Sequence, residues 1–300
     1  MVEGPLQIGI AGTGRMGAAI AARLLDRRHE VMVWNRTAEK TRLLAAAGAA
    51  VAATPQELST AVDCIITMLT DAAAIDATYQ GESGLLAGKI RGKLFIDMST
   101  VRPEVETALA AKVREKGAAL IECPVGGTVG PAKEGKLFGF VGGDAGDVAR
   151  GRPVLDELCR RVEHVGAVGA GASMKLAINL PLLVYYQALG EALSLCRSLD
   201  IAPARLIDIF ADTSGGPNML KTRGPAIAAT LQGQQTTPVT FDVDLIRKDL
   251  RTMLEEAAGL GVSLPLATRA LDCYDAVAAD GLGGSDATML PAHWLRKGGR

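Results

Sequence analysis

LQIGIAGTGRMGAAIAARLLDRRHEVMVWNRT, residues 6–37, decides the fold. Leu6 to Ala11 is a short apolar run and reads as a strand. It ends in Gly12-Thr13-Gly14-Arg15-Met16-Gly17, a G-x-G-x-x-G. A helical stretch follows with Ile20, Leu24 and Leu25 on one face, and Val31 to Trp34 is a second strand. The motif therefore sits at the strand-to-helix turn of a βαβ unit. Glycine turns also occur in ordinary βα units, but this context gives the motif a mechanism. Gly12 allows the tight turn, Gly14 lets the backbone approach a pyrophosphate, and Gly17 lets helix and strand pack closely. The helix N-terminus offers its free N–H groups to the phosphates. The whole turn, Gly12, Thr13, Gly14, Arg15, Met16 and Gly17, is assigned to a dinucleotide cofactor.

The end of the second strand selects which dinucleotide. A carboxylate there would bond the ribose 2′-hydroxyl. This chain has Asn35-Arg36-Thr37 instead. Nothing there repels a 2′-phosphate, and the planar fork of Arg36 can bind one. The expected cofactor is NADP (NADPH). The plainer reading of Arg36 is an exposed arginine opening a helix from Thr37 to Ala47.

Working outward, strands and helices keep alternating. Thr54-Pro55-Gln56-Glu57 is a capping box with proline at the first helical position. Strands are expected at Cys64–Met68 and Leu94–Asp97, with Asp71 capping the helix between them and Pro103 opening one to Lys116. In an open parallel sheet, ligands bind beyond the C-terminal strand ends. Met68, Leu69 and Thr100 are therefore candidates for the cofactor's nicotinamide side, and Ser99 for the substrate. Thr100 could instead only cap the next helix. After a strand at Ala119–Glu122 comes Cys123-Pro124-Val125-Gly126-Gly127-Thr128-Val129-Gly130-Pro131. Such a loop either turns the chain or cradles an anion on its backbone N–H groups. Gly126, Gly127 and Thr128 are the candidates to hold a substrate carboxylate. Strands at Leu137–Val141 and Val162–Val165 finish the sheet, and between them Asp144 is expected to cap a helix through Cys159.

The second informative stretch is Gly169 to Leu199, GAGASMKLAINLPLLVYYQALGEALSLCRSL. As one helix it would be roughly 45 Å long, enough to join two domains. Lys175 and Asn179 stand at i,i+4 on one face of it, among apolar neighbours. A lysine there either snorkels to water or does chemistry. Pro181 should kink the helix. Beyond it the chain reads as helices at about 203–212, 216–231, 242–260, 265–280 and 285–296, with Asp242 and Ser285 at helix starts. Asp244, Lys248 and Arg251, with Asp249 beside them, read as a solvated face with i,i+4 pairs. The fold class is α/β: a Rossmann-type, doubly wound sheet in residues 1–168, and an all-helical domain for substrate and oligomerisation in 169–300. The long helix joins the two.

Composition narrows the function. The net charge is −1, without runs of one sign, which argues against nucleic acid or an anionic membrane as partner. No uninterrupted apolar run reaches spanning length, and the start lacks a secretory pattern. Five scattered cysteines read as reduced, mostly buried thiols in a cytoplasmic protein. Three distant histidines give no metal spacing. The apolar long helix, with Val184, Tyr185, Leu189, Leu193 and Leu195 offered to a partner as well as to the home domain, points to a homodimer or a tetramer of dimers.

Together the motifs resemble the β-hydroxyacid dehydrogenase family, which includes 3-hydroxyisobutyrate dehydrogenases, tartronate semialdehyde reductases and glyoxylate/succinic semialdehyde reductases. The resemblance covers nearly the whole chain and rests on GTGRMG (12–17), IDMSTVRP (96–103), CPVGGTVGPAKEGKL (123–137), GAGASMKLAIN (169–179) and FDVDLIRKDL (241–250). It implies a Rossmann-type domain, a helical domain resembling that of 6-phosphogluconate dehydrogenase, and hydride transfer between NADP(H) and a small β-hydroxy acid or its semialdehyde. It further implies Lys175 as the catalytic lysine with Asn179 as partner, Gly126 and Gly127 in the substrate loop, Thr100 near the nicotinamide and Lys248 beside the cofactor. Two departures concern substrate identity. Gly126 stands where the family commonly has serine, with Thr128 as a possible substitute, and Leu180-Pro181 replaces a second asparagine. Imine reductases are similar but generally lack the lysine. An imine reductase and a non-catalytic NADP-binding module are the alternative readings.

Overall fold

The structure, a computed structural model, describes residues 5–297. Nine strands among them form one sheet: β1 (Gln7–Ala11), β2 (Glu30–Trp34), β3 (Ala50–Val51), β4 (Cys64–Thr67), β5 (Leu94–Asp97), β6 (Ala119–Glu122), β7 (Val125–Gly126), β8 (Leu137–Gly142) and β9 (Cys159–Gly166). Their order is β3-β2-β1-β4-β5-β6-β8-β7, with β9 also on β8. From β3 to β6 every pairing is parallel; β8 runs antiparallel to β6 and β7. The order reverses between β1 and β4, which is where an open α/β sheet leaves its ligand crevice.

Helices cover both faces: α1 (Arg15–Asp26), α2 (Arg42–Ala46), α3 (Pro55–Ala61), α4 (Ala72–Gln80), α5 (Pro103–Glu115), α6 (Val129–Lys133) and α7 (Ala145–Leu158). Buried apolar side chains explain the two layers. Ile8, Ile10, Ile20, Leu24 and Val33 pack on one side of the sheet. Leu58, Ile65, Tyr79, Phe95 and Leu109 pack on the other. The capping box forms: Glu57 N–H donates to Thr54 Oγ1 at 3.1 Å, and Glu57 Oε2 accepts from Ala53 N–H at 2.7 Å. Asp71 caps α4, its Oδ1 accepting from Ala74 N–H at 2.8 Å.

The remaining helices are α8 (Ala170–Leu195), α9 (Pro203–Ala211), α10 (Met219–Leu231), α11 (Val243–Gly259), α12 (Pro265–Val277) and α13 (Leu290–Lys297). The chain divides into two compact units, one ending at Ala177 and one beginning at Ile178. The described residues of the second carry helices and no strand, with one isolated bridge between Asp242 and Asp286. Its core includes Ile207, Leu220, Ile227, Ile246, Leu250 and Tyr274. Tyr274 Oη donates to Leu183 O at 2.7 Å, tying α12 to α8.

Several sequence expectations are corrected. The helix expected over Thr37–Ala47 is a 3-10 turn, Ala38–Thr41, followed by the short α2, and Thr37 makes no capping bond. The two-residue strands β3 and β7 and the five-residue α6 are too short to leave a periodic signal. Asp144 does not cap α7; it pairs with Arg114 at 3.2 Å. Thr100 is not the cap of α5, whose N-cap is Arg102. The last predicted helix begins as a 3-10 turn capped by Asp286 rather than Ser285. Helix α8 continues through Pro181 as one element. By length and composition alone it is apolar enough to cross a membrane, which counting uninterrupted runs did not register because Lys175, Asn179, Gln187 and Glu191 break the run. All five cysteines are free thiols; Cys123 and Cys159 are buried, and the other three only partly.

Candidate active site

The glycine turn is built for an anion. Gly12 has φ +99°, and a Cβ there would collide with Met68 O. A Cβ on Gly17 would collide with Gly12 O, so α1 and β1 can approach this closely only through glycine. Gly14 is the opposite case: a Cβ there meets nothing within 4 Å, leaving open space beside the backbone. Gly14 is the N-cap of α1, without a side-chain cap, and no acidic residue sits in the first turn. The helix's first N–H groups and its positive end are thus left for a ligand. Thr13 Oγ1 is buried and has no hydrogen-bond partner. These features fit a dinucleotide pyrophosphate.

Asn35 locks this turn to the end of β2. Its Oδ1 accepts from Thr13 N–H and its Nδ2 donates to Thr37 O, both at 3.0 Å. Arg36 and Thr37 are exposed on the same corner. Arg36 has no ion-pair partner among the described residues, so its guanidinium is available to a 2′-phosphate.

The ends of β4 and β5 are tied by a buried chain of hydrogen bonds. Tyr79 Oη lies 2.9 Å from Thr67 Oγ1, which donates to Asp97 Oδ2. Asp97 Oδ1 accepts from Ser99 N–H at 2.8 Å, and Ser99 Oγ accepts from Leu69 N–H at 3.0 Å. Ser99 is 1% exposed, so in this structure its hydroxyl holds Leu69. Met68, Leu69 and Thr100 are half-buried at the strand ends. Glu106 on α5 is fully buried, and its carboxyl faces that of Asp97, to which its protonated form donates a hydrogen bond. Burial, and then the neighbouring Asp97 and Glu122, push its pKa well up, and burial raises Asp97 as well.

The loop after β6 is shaped by one required glycine. Gly127 has φ +124°, and a Cβ there would press on Leu137 Cδ2 at 2.8 Å. Gly126 is different: the nearest atoms to a Cβ there are Phe138 Cβ and Phe140 Cε2, both at 3.7 Å. A side chain would fit, so its absence leaves room. Thr128 is the N-cap of α6, yet its hydroxyl makes no capping bond.

Lys175 lies on the first unit's part of α8, near its N-terminus, and is 9% exposed. The start of α8 is held by Glu122 at the end of β6. Glu122 Oε1 accepts from Gly169 and Gly171 N–H at 2.5 and 2.8 Å, and Oε2 accepts from Ala172 N–H at 3.2 Å. Burial outweighs these three bonds and raises the Glu122 pKa to about 7.

Within the second unit, Asn179 Nδ2 donates to Asp249 Oδ2 at 3.3 Å, and Lys248 Nζ pairs with Asp249 Oδ1 at 2.8 Å. Asp249 is 5% exposed. The expected solvated face is therefore half right. Arg247 pairs with Asp244 and Asp275, and Arg251 with Asp275, near the surface. Asp249 instead shares the buried side of α11 with Ile246, Leu250 and Met253. That signal was present in the sequence, since 246, 249, 250 and 253 follow i, i+3, i+4, i+7.

Two family models cover most of the chain. The NAD-binding domain of 6-phosphogluconate dehydrogenase matches residues 7–166, and the NAD-binding domain of NADP-dependent 3-hydroxyisobutyrate dehydrogenase matches 169–293. A 3-hydroxyisobutyrate dehydrogenase from Pseudomonas aeruginosa is 33% identical over 89% of this chain and 90% of its own. The chain belongs to the β-hydroxyacid dehydrogenase family. Glyoxylate/succinic semialdehyde reductase 1 of Arabidopsis thaliana is 31% identical over 94% of this chain and 96% of its own. A solved Mycobacterium tuberculosis 3-hydroxyisobutyrate dehydrogenase with L-serine superposes at a TM-score of 0.85, at 29% identity, covering 98% of this chain and all of that one. As a member of that family it is an oxidoreductase with a dinucleotide-binding Rossmann domain. Among its described residues no group of His, Cys, Asp and Glu could hold a metal ion.

Proposed function

We propose that this protein prefers NADP(H) and interconverts a small β-hydroxy acid and its semialdehyde, with Lys175 as general acid and base. NADPH, when bound, supplies the hydride. Everything else falls to the chain. Reduction of a carbonyl puts negative charge on its oxygen, and a proton donor must lie within reach of it. The Lys175 ammonium donates that proton; in the reverse direction the neutral amine takes one from the hydroxyl. Asn179, one helical turn on, supports the oxygen and is itself held by Asp249. The loop at Gly126, Gly127 and Thr128 anchors the substrate carboxylate, and the spare Thr128 hydroxyl supplies a donor there.

The observation that carries this reading is Lys175, placed near the start of α8 in the same unit as the open Gly14 turn and the 126–128 loop. The cofactor preference rests on Asn35 being occupied with the turn while Arg36 stands exposed beside it. The test is NADPH and NADH turnover against semialdehydes, keto acids, their methyl esters and cyclic imines. Carboxylate-bearing carbonyls should turn over with NADPH, and the esters should lose most of that rate. Equal rates for charged and uncharged carbonyls, or turnover of imines alone, would refute the substrate class. No turnover of any of them would favour a binding module.

A further inference from the structure

Glu122 has no place in the chemistry proposed above, yet it is fully buried and makes three hydrogen bonds to one short stretch of backbone. That stretch, Gly169 to Ala172, is the start of the helix carrying Lys175. Four residues after Glu122, along the same chain, is Gly126. One residue thus joins the substrate loop, through the covalent chain, to the lysine helix, through its carboxylate.

The surroundings make the junction tight. A Cβ on Gly142 of β8 would collide with Glu122 Oε1. A Cβ on Gly171 would collide with Phe140 O and come within 3.3 Å of Glu122 Cδ. Gly171 therefore lets α8 approach β8, and Gly142 leaves room for the carboxylate between them. Helix starts are ordinarily satisfied by a local Ser, Thr, Asp or Asn. Here the acceptor comes from a strand 47 residues earlier than Gly169, so the bond fixes tertiary position as well as the helix end.

We infer that Glu122 is a positioning residue for Lys175, setting where the lysine stands relative to the 126–128 loop. This rests on the reading of Lys175 as the acid. Without the carboxylate, the α8 start keeps orphaned N–H groups and no fixed register on β6. Proton transfer needs geometry good to a fraction of an ångström, so the loss appears in the chemical step rather than in cofactor binding.

The test is a double-mutant cycle on the full chain, with kcat, KM and NADPH affinity measured for E122A, K175A and the pair. E122A should lower kcat about tenfold or more, with NADPH affinity and KM changed less than about twofold. In the K175A background, E122A should cost less than about twofold, because what it positions is gone. A purely structural role would give the same loss in both backgrounds and would overturn the inference. So would E122A with kcat within about twofold of wild type while K175A is inactive; that outcome spares the reading of Lys175. K175A retaining more than about a tenth of kcat would sink both. Should E122A not fold, E122D carries the same cycle, since its shorter side chain draws the carboxylate back from Gly169 and Gly171 without adding an atom to the junction.

Discussion

At the scale of one residue, the proposed chemistry rests on Lys175. No histidine or tyrosine occupies a comparable motif position, so its proton has no substitute. K175A should lose about 10²–10⁴-fold in kcat, the usual contribution of a general acid, while NADPH binding by fluorescence titration stays intact. K175R should not recover the rate, because a guanidinium does not release its proton at working pH. A second single-residue effect concerns Arg36. R36A should weaken NADPH by about 1.5–3 kcal/mol, the range for a lost charged hydrogen bond, and leave NADH nearly unchanged. Equal weakening of both cofactors would make Arg36 structural. The place of Lys175 near the start of α8 was legible in the sequence because a motif framed it. Asp249 was legible only through its place on the wheel of α11, which its charge, suggesting solvent, masked.

At the scale of elements, the C-terminal ends of β5 and β6 and the helix α5 concentrate buried acid. Asp97 and Glu122 are register partners on neighbouring strands, and Glu106 lies over them from α5. Burial raises all three pKa values, Glu122 from 4.5 to about 7. The sign follows from linkage. Between those values the folded chain holds protons that the unfolded chain has released, so stability is lost as pH rises through the window. The denaturation midpoint of the first unit should therefore fall from pH 5 to about pH 8. E122Q, which mimics the protonated acid in shape, should flatten part of that slope. Parallel curves for wild type and E122Q would show that Glu122 titrates normally. The strands bearing these acids were readable from their apolar runs. The cluster was not, because Glu106 comes from a helix and its neighbours from strands, and only packing brings them together.

For the whole molecule, the exposed apolar residues bear on assembly. Of the side chains expected to face a partner, Leu189 and Leu193 are each 1% exposed and have no surface left to offer. The chain itself buries them. Leu195, at 86%, and Leu199, at 52%, remain outside. We expect a homodimer or a tetramer of dimers that covers them. Light scattering at micromolar concentration checks this, and L195D should shift the distribution toward smaller species. A stable, active monomer of the unaltered chain would overturn it.

The sequence by itself determined the order of the longer elements, the dinucleotide turn and the lysine helix. Each is written locally: alternating apolar runs, a glycine motif between strand and helix, and i,i+4 spacing. Hydrogen-bonding periodicity makes such features short-range, so they need no partner from elsewhere to be seen. Tertiary structure decided what lies between them. It turned Ser99 toward Leu69, gave Asp249 to Asn179, and set Glu122 under the start of α8. Those partners are 30, 70 and 47 residues apart in pairs such as Leu69–Ser99, Asn179–Asp249 and Glu122–Gly169. Buried polar groups must find partners, but which partner is chosen depends on the packed fold, and no local pattern in the chain records it.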